Sequence, residues 1–333
     1  MFDAAPATWQ MLIGPGAASA LRQPPPEHDA LLAATKAWLE ADVARQVIAV
    51  GEAAYPAALL DTADPPLLLY AQGRVELLAA PAVAVVGSRN PTAQGIDNAR
   101  AFARHLSQSG LTVVSGLALG IDGAAHEGAL EGSGNTIAVM GTGADRIYPA
   151  RHRTLAHRIV AAGGLLLTEY DLGMPPLAEN FPRRNRIIAG LARGTLVVEA
   201  ALPSGSLSTA HAALEAGRDV FAVPGSIHSP QSRGCHALIK QGAKLVESAD
   251  DITAELHWRS TPDARSSPGG DVAGDPRFRA LLDALGHEPA TLDALAARTG
   301  MGTAELNAQL LELELDGRVA RLPGALFQRR SQA

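Results

Sequence analysis

The chain contains a single cysteine, Cys235, among 333 residues. No disulfide framework can form within it, which fits a reducing, cytosolic compartment. Aromatic residues are only 4% of the chain, while the hydrophobic fraction is 47%. Ala, Leu, Val and Ile must therefore fill the core. No apolar run approaches the ~20 residues of a membrane span, and Met1 to Gln10 lacks the basic start of a secretory leader. The expectation is a cytoplasmic protein with no membrane contact. There is no Gly-Lys-Ser/Thr, so a Walker phosphate loop is absent. His126, His211 and His236 show no metal-ligand spacing, and no metal or other cofactor is expected. Positive charge is not in excess: the formal net charge is -6, unlike the basic balance of most nucleic-acid binders. Arginine is nevertheless concentrated locally, with Arg183, Arg184, Arg186 and Arg193 in one short segment.

The first of three regions runs over residues 1–80. Leu12-Ile13-Gly14-Pro15-Gly16-Ala17-Ala18 reads as a tight turn leading into a helical stretch. Such a turn either points backbone N–H groups at a phosphate or joins two helices of a small bundle. Pro24-Pro25-Pro26 ends that stretch, and Lys36 to Val43 is helical again. The second region, residues 81–257, alternates strand and helix. Short β-branched runs at Ala82–Val86, Leu111–Val114, Thr136–Met140, Leu165–Thr168, Leu196–Val198, Val220–Val223 and Lys244–Val246 read as buried parallel strands. Ile96, Ala99, Ala103 and Leu106 give the first intervening helix an apolar face. The pattern predicts an α/β domain, a Rossmann-like doubly wound parallel sheet. Residues 258–276, rich in Ser, Pro, Gly and Asp, read as a linker. Residues 277–330 read helix, helix, helix and hairpin, the order of a winged helix.

In an open α/β sheet, ligands bind beyond the carboxyl ends of the strands. Those positions here carry Gly87-Ser88-Arg89-Asn90-Pro91, Ser115-Gly116-Leu117-Ala118, Gly141-Thr142-Gly143, Phe181-Pro182-Arg183-Arg184-Asn185-Arg186, Ser204-Gly205-Ser206 and Pro224-Gly225-Ser226. Glycine lets phosphate oxygens approach backbone N–H groups, and a helix N-terminus favours an anion. Arg89 and Arg183–Arg186 add bidentate cations. The loops together predict a phosphate-binding rim, with Arg184 and Arg186 meeting phosphates directly. It is not a dinucleotide site: no Gly-x-Gly-x-x-Gly follows the first strand, and Ser115 stands where an acidic residue would hold a ribose. Glu169 and Glu199 end strands at this edge. They read as groups that orient arginines or accept from helix N-termini rather than as general bases.

These runs, with Gly120-Ile121-Asp122, Ala125-His126, Ser206-Leu207 and Val223-Pro224-Gly225, resemble the DprA/Smf family of DNA-processing proteins. Tyr55-Pro56 and Asp64-Pro65-Pro66-Leu67-Leu68-Leu69-Tyr70 resemble its lead-in. The likeness is close from about Tyr55 to Leu256. The flanks match only by order, as a SAM-like or helix-hairpin-helix N-terminus and a C-terminal winged helix. The resemblance implies a homodimer that binds and protects incoming single-stranded DNA and loads RecA recombinase onto it in natural transformation, without catalysis. Carried over by position, its DNA pocket comprises Ser88, Arg89, Ser115, Gly116, Gly143, Phe181, Arg184, Asn185, Arg186, Gly205, Ser206 and Lys240, beside the neighbouring Arg183. Leu119 and His211 stand where many relatives are basic.

An alternative is a LOG-like nucleotide phosphoribohydrolase, whose motif after the equivalent strand ends in a glutamate. Here that register runs from Pro203 to His211, and a neutral imidazole does not replace a carboxylate facing a developing positive charge. A transcription factor acting through the winged helix is a further reading. It is disfavoured because the third helix, Thr303 to Asp316, carries Glu305, Glu312, Glu314 and Asp316 and no Lys or Arg. The basic residues lie in the hairpin and tail, at Arg318, Arg321, Arg329 and Arg330, which suits a protein-contact or self-packing role.

Overall fold

The computed structural model describes residues 6–20, 26–202, 204–258, 278–286, 289–316, 318–322 and 324–329. The expected linker, apart from Trp258, and Arg330 of the tail lie outside the described residues. The chain divides into two compact units, Met1–Gln46 and Val47–Ala333.

The first unit holds α1 (Pro6–Ala20) and α2 (His28–Glu40). Gly14, at φ 81°, breaks α1 where Gly14-Pro15-Gly16 predicts a turn. That left-handed conformation is open to glycine and costly for other residues. In α2, Trp38 is buried and its carbonyl accepts from the Arg45 guanidinium at 3.1 Å.

The sheet is nine-stranded. Its members are β1 (Arg45–Ala49), β2 (Leu68–Gly73), β3 (Ala82–Val86), β4 (Thr112–Ser115), β5 (Thr136–Val139), β6 (Leu165–Thr168), β7 (Gly194–Val197), β8 (Asp219–Ala222) and β9 (Lys244–Leu245). They lie in the order β1-β2-β6-β5-β4-β3-β7-β8-β9. From β3 the chain steps outward through β4, β5 and β6, then returns to the far side of β3 for β7, β8 and β9. Every pairing from β3 to β9 is parallel. This is the doubly wound architecture that the short β-branched runs predict, with the topological switch between β3 and β7. The central strands are buried along their whole length, as sheets covered on both faces require.

Its helices are α3 (Ala93–Gln108), α4 (Ile121–Glu131), α5 (Arg153–Ala161), α6 (Asn180–Leu191), α7 (Gly205–Glu215), α8 (Arg233–Lys240) and α9 (Ala249–Glu255). Two strands were not foreseen, β1 and β2, both in the region read as helical stretches and lead-in. β2, read as lead-in, pairs antiparallel with β6, Tyr70 opposite Thr168 and Gly73 opposite Leu165. Its centre, Leu69 to Ala71, is buried. Trp258, at the expected start of the linker, packs against the α/β core: its indole donates to the Ser109 carbonyl at 2.9 Å, and Arg193 lies over its ring.

The C-terminal part comprises α10 (Arg279–Leu285), β10 (Ala290–Thr291), α11 (Leu292–Thr299), α12 (Thr303–Leu315), β11 (Val319–Leu322) and β12 (Leu326–Arg329). The three strands form one sheet, β10-β12-β11, which together with three helices is a winged helix. Leu281, Leu295, Leu306, Leu310, Leu313 and Phe327 give it a core of its own.

Candidate nucleic-acid interface

A pocket of about 430 Å³ opens at the switch point, between the loops that follow β3 and β7. Chain geometry places it there. Two adjacent strands whose crossovers leave in opposite directions have no helix over the gap at their carboxyl ends.

The rim is built from three expected segments. Ser88, Arg89 and Asn90 come from the loop after β3, Phe181 and Asn185 from α6, and Ser204, Gly205 and Ser206 from the start of α7. The first loop is anchored at both ends. Ser88 N–H donates to the Glu199 carbonyl at 2.7 Å, and its carbonyl accepts from Ile121 N–H at 3.1 Å. The Glu199 carboxylate accepts from Thr92 N–H at 2.9 Å and from the Thr92 hydroxyl at 2.5 Å. Glu199 thus caps the start of α3. Burial raises its carboxyl above the usual value, and the two Thr92 bonds oppose that rise. Asn185 donates to the Gly205 carbonyl at 3.2 Å and to the Ser208 hydroxyl at 2.7 Å, tying α6 to α7. Ser204 caps α7, accepting from Ser206 N–H. A side chain at Gly205 would meet nothing within 4 Å, so this helix start is open for an anion.

Arg89 is exposed and forms no ion pair among the described residues. Its guanidinium lies 5.6 Å from the centre of the Phe181 ring, a cation–π arrangement. Phe181 is seated on Gly141, where a Cβ would stand 2.9 Å from the ring. The expected Gly141-Thr142-Gly143 loop therefore serves the aromatic ring.

The floor of the pocket differs from the sequence expectation. Arg184 is 3% exposed. Its guanidinium donates to the Gly116 carbonyl at 2.7 Å and to the Val139 carbonyl. A Cβ on Gly116 would stand 2.6 Å from that guanidinium, so the glycine there makes room for arginine rather than for phosphate. Arg186 pairs with Glu169 at 2.5 Å and lies 3.5 Å from Asp64. Neither arginine presents a free cation. Helical geometry explains the split: successive residues of α6 turn by about 100°, so Arg183 is exposed, Arg184 buried and Arg186 half-buried. Glu169 and Glu199 do orient an arginine and cap a helix, as their positions suggest.

Sequence reasoning named Asp122 within a motif but missed its role: it is buried at the second position of α4 and lines the pocket. Its carboxylate accepts from Gly116 N–H at 3.1 Å and Ala118 N–H at 3.4 Å. Burial raises its pKa, while Arg184, those two N–H groups and Arg89 pull it down. Burial lowers the Arg184 pKa to about 10, which leaves it charged at neutral pH. Between Gly116 and Ala118, Leu117 sits at φ 57°, a conformation that costs of order 1 kcal/mol and needs outside support. Asp122 and Arg184 hold Gly116, and His152 contacts the Leu117 carbonyl at 2.8 Å. The acidic residue just inside a helix that follows a Ser-Gly-Leu-Ala loop is the sequence signal for this clamp. Gln231, another lining residue, has no such signal.

The remaining expected residues lie outside the pocket lining. Ser115 is fully buried, its hydroxyl donating to the Val85 carbonyl at 2.7 Å. Gly143 N–H donates to the Met174 carbonyl. Arg183 and Lys240 are exposed, Lys240 at the end of α8. Cys235 is buried and its thiol is pushed up to about 12, so it is unreactive at neutral pH. Among the described residues no cluster of His, Cys, Asp or Glu is arranged to hold a metal ion. None of the helices described is long and apolar enough to cross a membrane.

With this geometry in view, the comparisons with known proteins converge. The profile of the DNA recombination-mediator protein A family matches residues 46–257, and that of the DprA winged helix domain matches residues 262–325. Protein Smf of Escherichia coli is 46% identical over 301 residues, 88% of this chain and 79% of that protein. The DNA processing protein DprA of Streptococcus pneumoniae is 50% identical over 204 residues, 61% of this chain and 72% of that protein. The X-ray structure of the pneumococcal DprA superposes with a TM-score of 0.60 at 47% identity, over 66% of this chain and 77% of that one. A structure of Helicobacter pylori DprA, studied for its single-stranded DNA binding mode, gives 0.57 at 32% identity, over 64% and 96%.

Proposed function

We propose, for a chain that belongs to the DNA recombination-mediator protein A family, that the crevice between β3 and β7 binds the backbone of single-stranded DNA and that the protein performs no chemistry of its own. The observation that carries this reading is the pairing of an uncommitted cation with an open helix start on one pocket rim. Arg89 supplies the charge, Ser204 to Ser206 supply hydroxyl and N–H donors, and Phe181 supplies an aromatic face. Backbone charge plus a stacking surface is the chemistry of sequence-tolerant single-strand binding. A duplex holds its bases stacked inside, where Phe181 cannot reach them.

The relatives named for DNA processing, and the Helicobacter pylori protein studied for single-strand binding, support the same reading. In this proposal the protein acts as a homodimer in the cytoplasm, shields an incoming strand and passes it to RecA in transformation. The hydrolase alternative needs a carboxylate facing a bound sugar. The rim glutamate nearest that role, Glu199, is instead committed to Thr92, and His211 is exposed on α7.

The test is a pair of titrations, oligo-dT against a duplex of equal length, across a salt series. The reading expects tighter binding to the single strand and an affinity that falls with salt at about -0.7 per neutralised phosphate. Equal or stronger binding to the duplex contradicts it. So does release of base or nucleotide from AMP, or from single-stranded DNA with Mg²⁺, that is lost on mutating Glu199 or His211.

A further inference from the structure

The geometry points to a second contact for the strand outside the crevice: an exposed platform on the segment between β5 and α5, made of Tyr148 with Arg151 and Arg153. The inference rests on the reading that the crevice holds single-stranded DNA, and it says where the strand goes next. Tyr148 is 47% exposed, unusual for a large aromatic side chain. Its ring centre lies 5.4 Å from that of Phe181, tilted by 41°. Arg89, Phe181 and Tyr148 therefore form a continuous series of cation, ring and ring leading out of the pocket. Three and five residues further on stand Arg151 and Arg153, both exposed and without an ion pair among the described residues. Arg153 opens α5, whose N-terminal N–H groups add to the positive field.

The acidic side chain in this stretch is already engaged. Asp145 accepts from Gly173 N–H at 2.8 Å and lies 3.8 Å from Arg146. The platform is also held in place. The Thr142 hydroxyl donates to the Arg146 carbonyl at 2.6 Å, and the His152 ring contacts the Leu117 carbonyl. The contact to Leu117 joins the platform to the floor of the crevice. A strand seated at Arg89 thus finds a second ring on which a base can stack, then two cations for its next phosphates.

The experiment uses the full chain and labelled oligo-dT of two lengths, about 4 and about 16 nucleotides, the span of single-strand site sizes. Tyr148→Ala should weaken binding of the longer strand about tenfold and of the shorter one less than about twofold, with Tyr148→Trp close to wild type. Arg151→Ala with Arg153→Ala should flatten the salt dependence of the longer strand by about 1.4 in slope and leave the shorter one unchanged. Arg89→Ala should weaken both lengths. Unchanged affinity and slope for the longer strand in the Tyr148 and arginine variants, with Arg89→Ala still weakening both lengths, overturns the platform alone. If Arg89→Ala is also without effect, the crevice reading fails and the platform falls with it.

Discussion

The crevice between β3 and β7 and the third helix of the winged-helix unit both present a helix to solvent, and their charges are opposite. At the crevice the nearby carboxylates are committed inward: Asp122 to two backbone N–H groups, Glu199 to Thr92, Glu169 to Arg186. Arg89, on the pocket rim, remains outward. On α12 Leu306, Leu310 and Leu313 face the core, while Glu305, Glu312, Glu314 and the adjoining Asp316 are exposed, a field that repels a phosphate backbone. A chain of net charge -6 can offer a site for an anion because its acids near that site are spent on capping and clamping. Local assignment of charge decides the surface, and the total does not.

The comparison breaks most visibly at the floor. Arg184→Ala leaves the carbonyls of Gly116 and Val139 and the buried Asp122 without their cation. It should cost roughly 3 kcal/mol of stability in denaturant unfolding and abolish strand binding. A variant of wild-type stability that binds normally would show that Arg184 does not hold the crevice.

At the rim, Arg89→Ala should leave stability unchanged and weaken oligo-dT about 10- to 100-fold, the loss of hydrogen bonds to a charged partner. Anisotropy at low salt reads this directly. The floor and rim variants together separate positioning from contact, since one lowers stability and the other does not.

Acid sharpens the same boundary. His126 is fully buried, its Nδ1 bonded to Thr136 at 2.8 Å, and burial, the largest cause, then His152 and Arg184 push its pKa down to about 3. The folded protein keeps the ring neutral while the unfolded chain protonates it near pH 6.5. Stability from this group is therefore complete above pH 6.5 and declines as pH falls toward about 3, at about 1.4 kcal/mol per pH unit. His126→Asn should remove that share of the slope. An identical acid limb in the variant would place the titration elsewhere.

The smallest effect is expected at the winged helix. Ending the chain after Trp258 removes a unit with its own core and should change single-strand affinity less than about threefold, under 1 kcal/mol. A hundredfold loss would mean that the acidic face of α12 misrepresents the whole unit, and that hairpin cations such as Arg321 and Arg329 carry DNA.

The strands from β3 to β9 were legible because buried parallel strands are short, continuous and β-branched, and their ends fall within a residue or two of the predicted runs. β2 was not, because Leu68–Gly73 owes its strand state to antiparallel pairing with β6 rather than to any period of its own. The rim loops were legible from glycine beside hydroxyl groups at strand ends. The arginine cluster misled because neighbours in sequence look like one patch, whereas on a helix Arg183, Arg184 and Arg186 point to solvent, to the interior and to Glu169. Asp122 was read as part of a motif but given no role in the site, because a carboxylate serving backbone N–H groups has no partner nearby in sequence to announce it.

The most direct test of the central claim is to map where a strand touches the protein. Oligo-dT carrying 5-iodouridine, irradiated in complex with the full chain, should crosslink to the peptide containing Phe181 if the crevice holds the DNA, with a second crosslink at Tyr148 on strands long enough to reach the platform. Crosslinks concentrated on α12 or the hairpin from Val319 to Arg329, with Phe181 unlabelled, would contradict it.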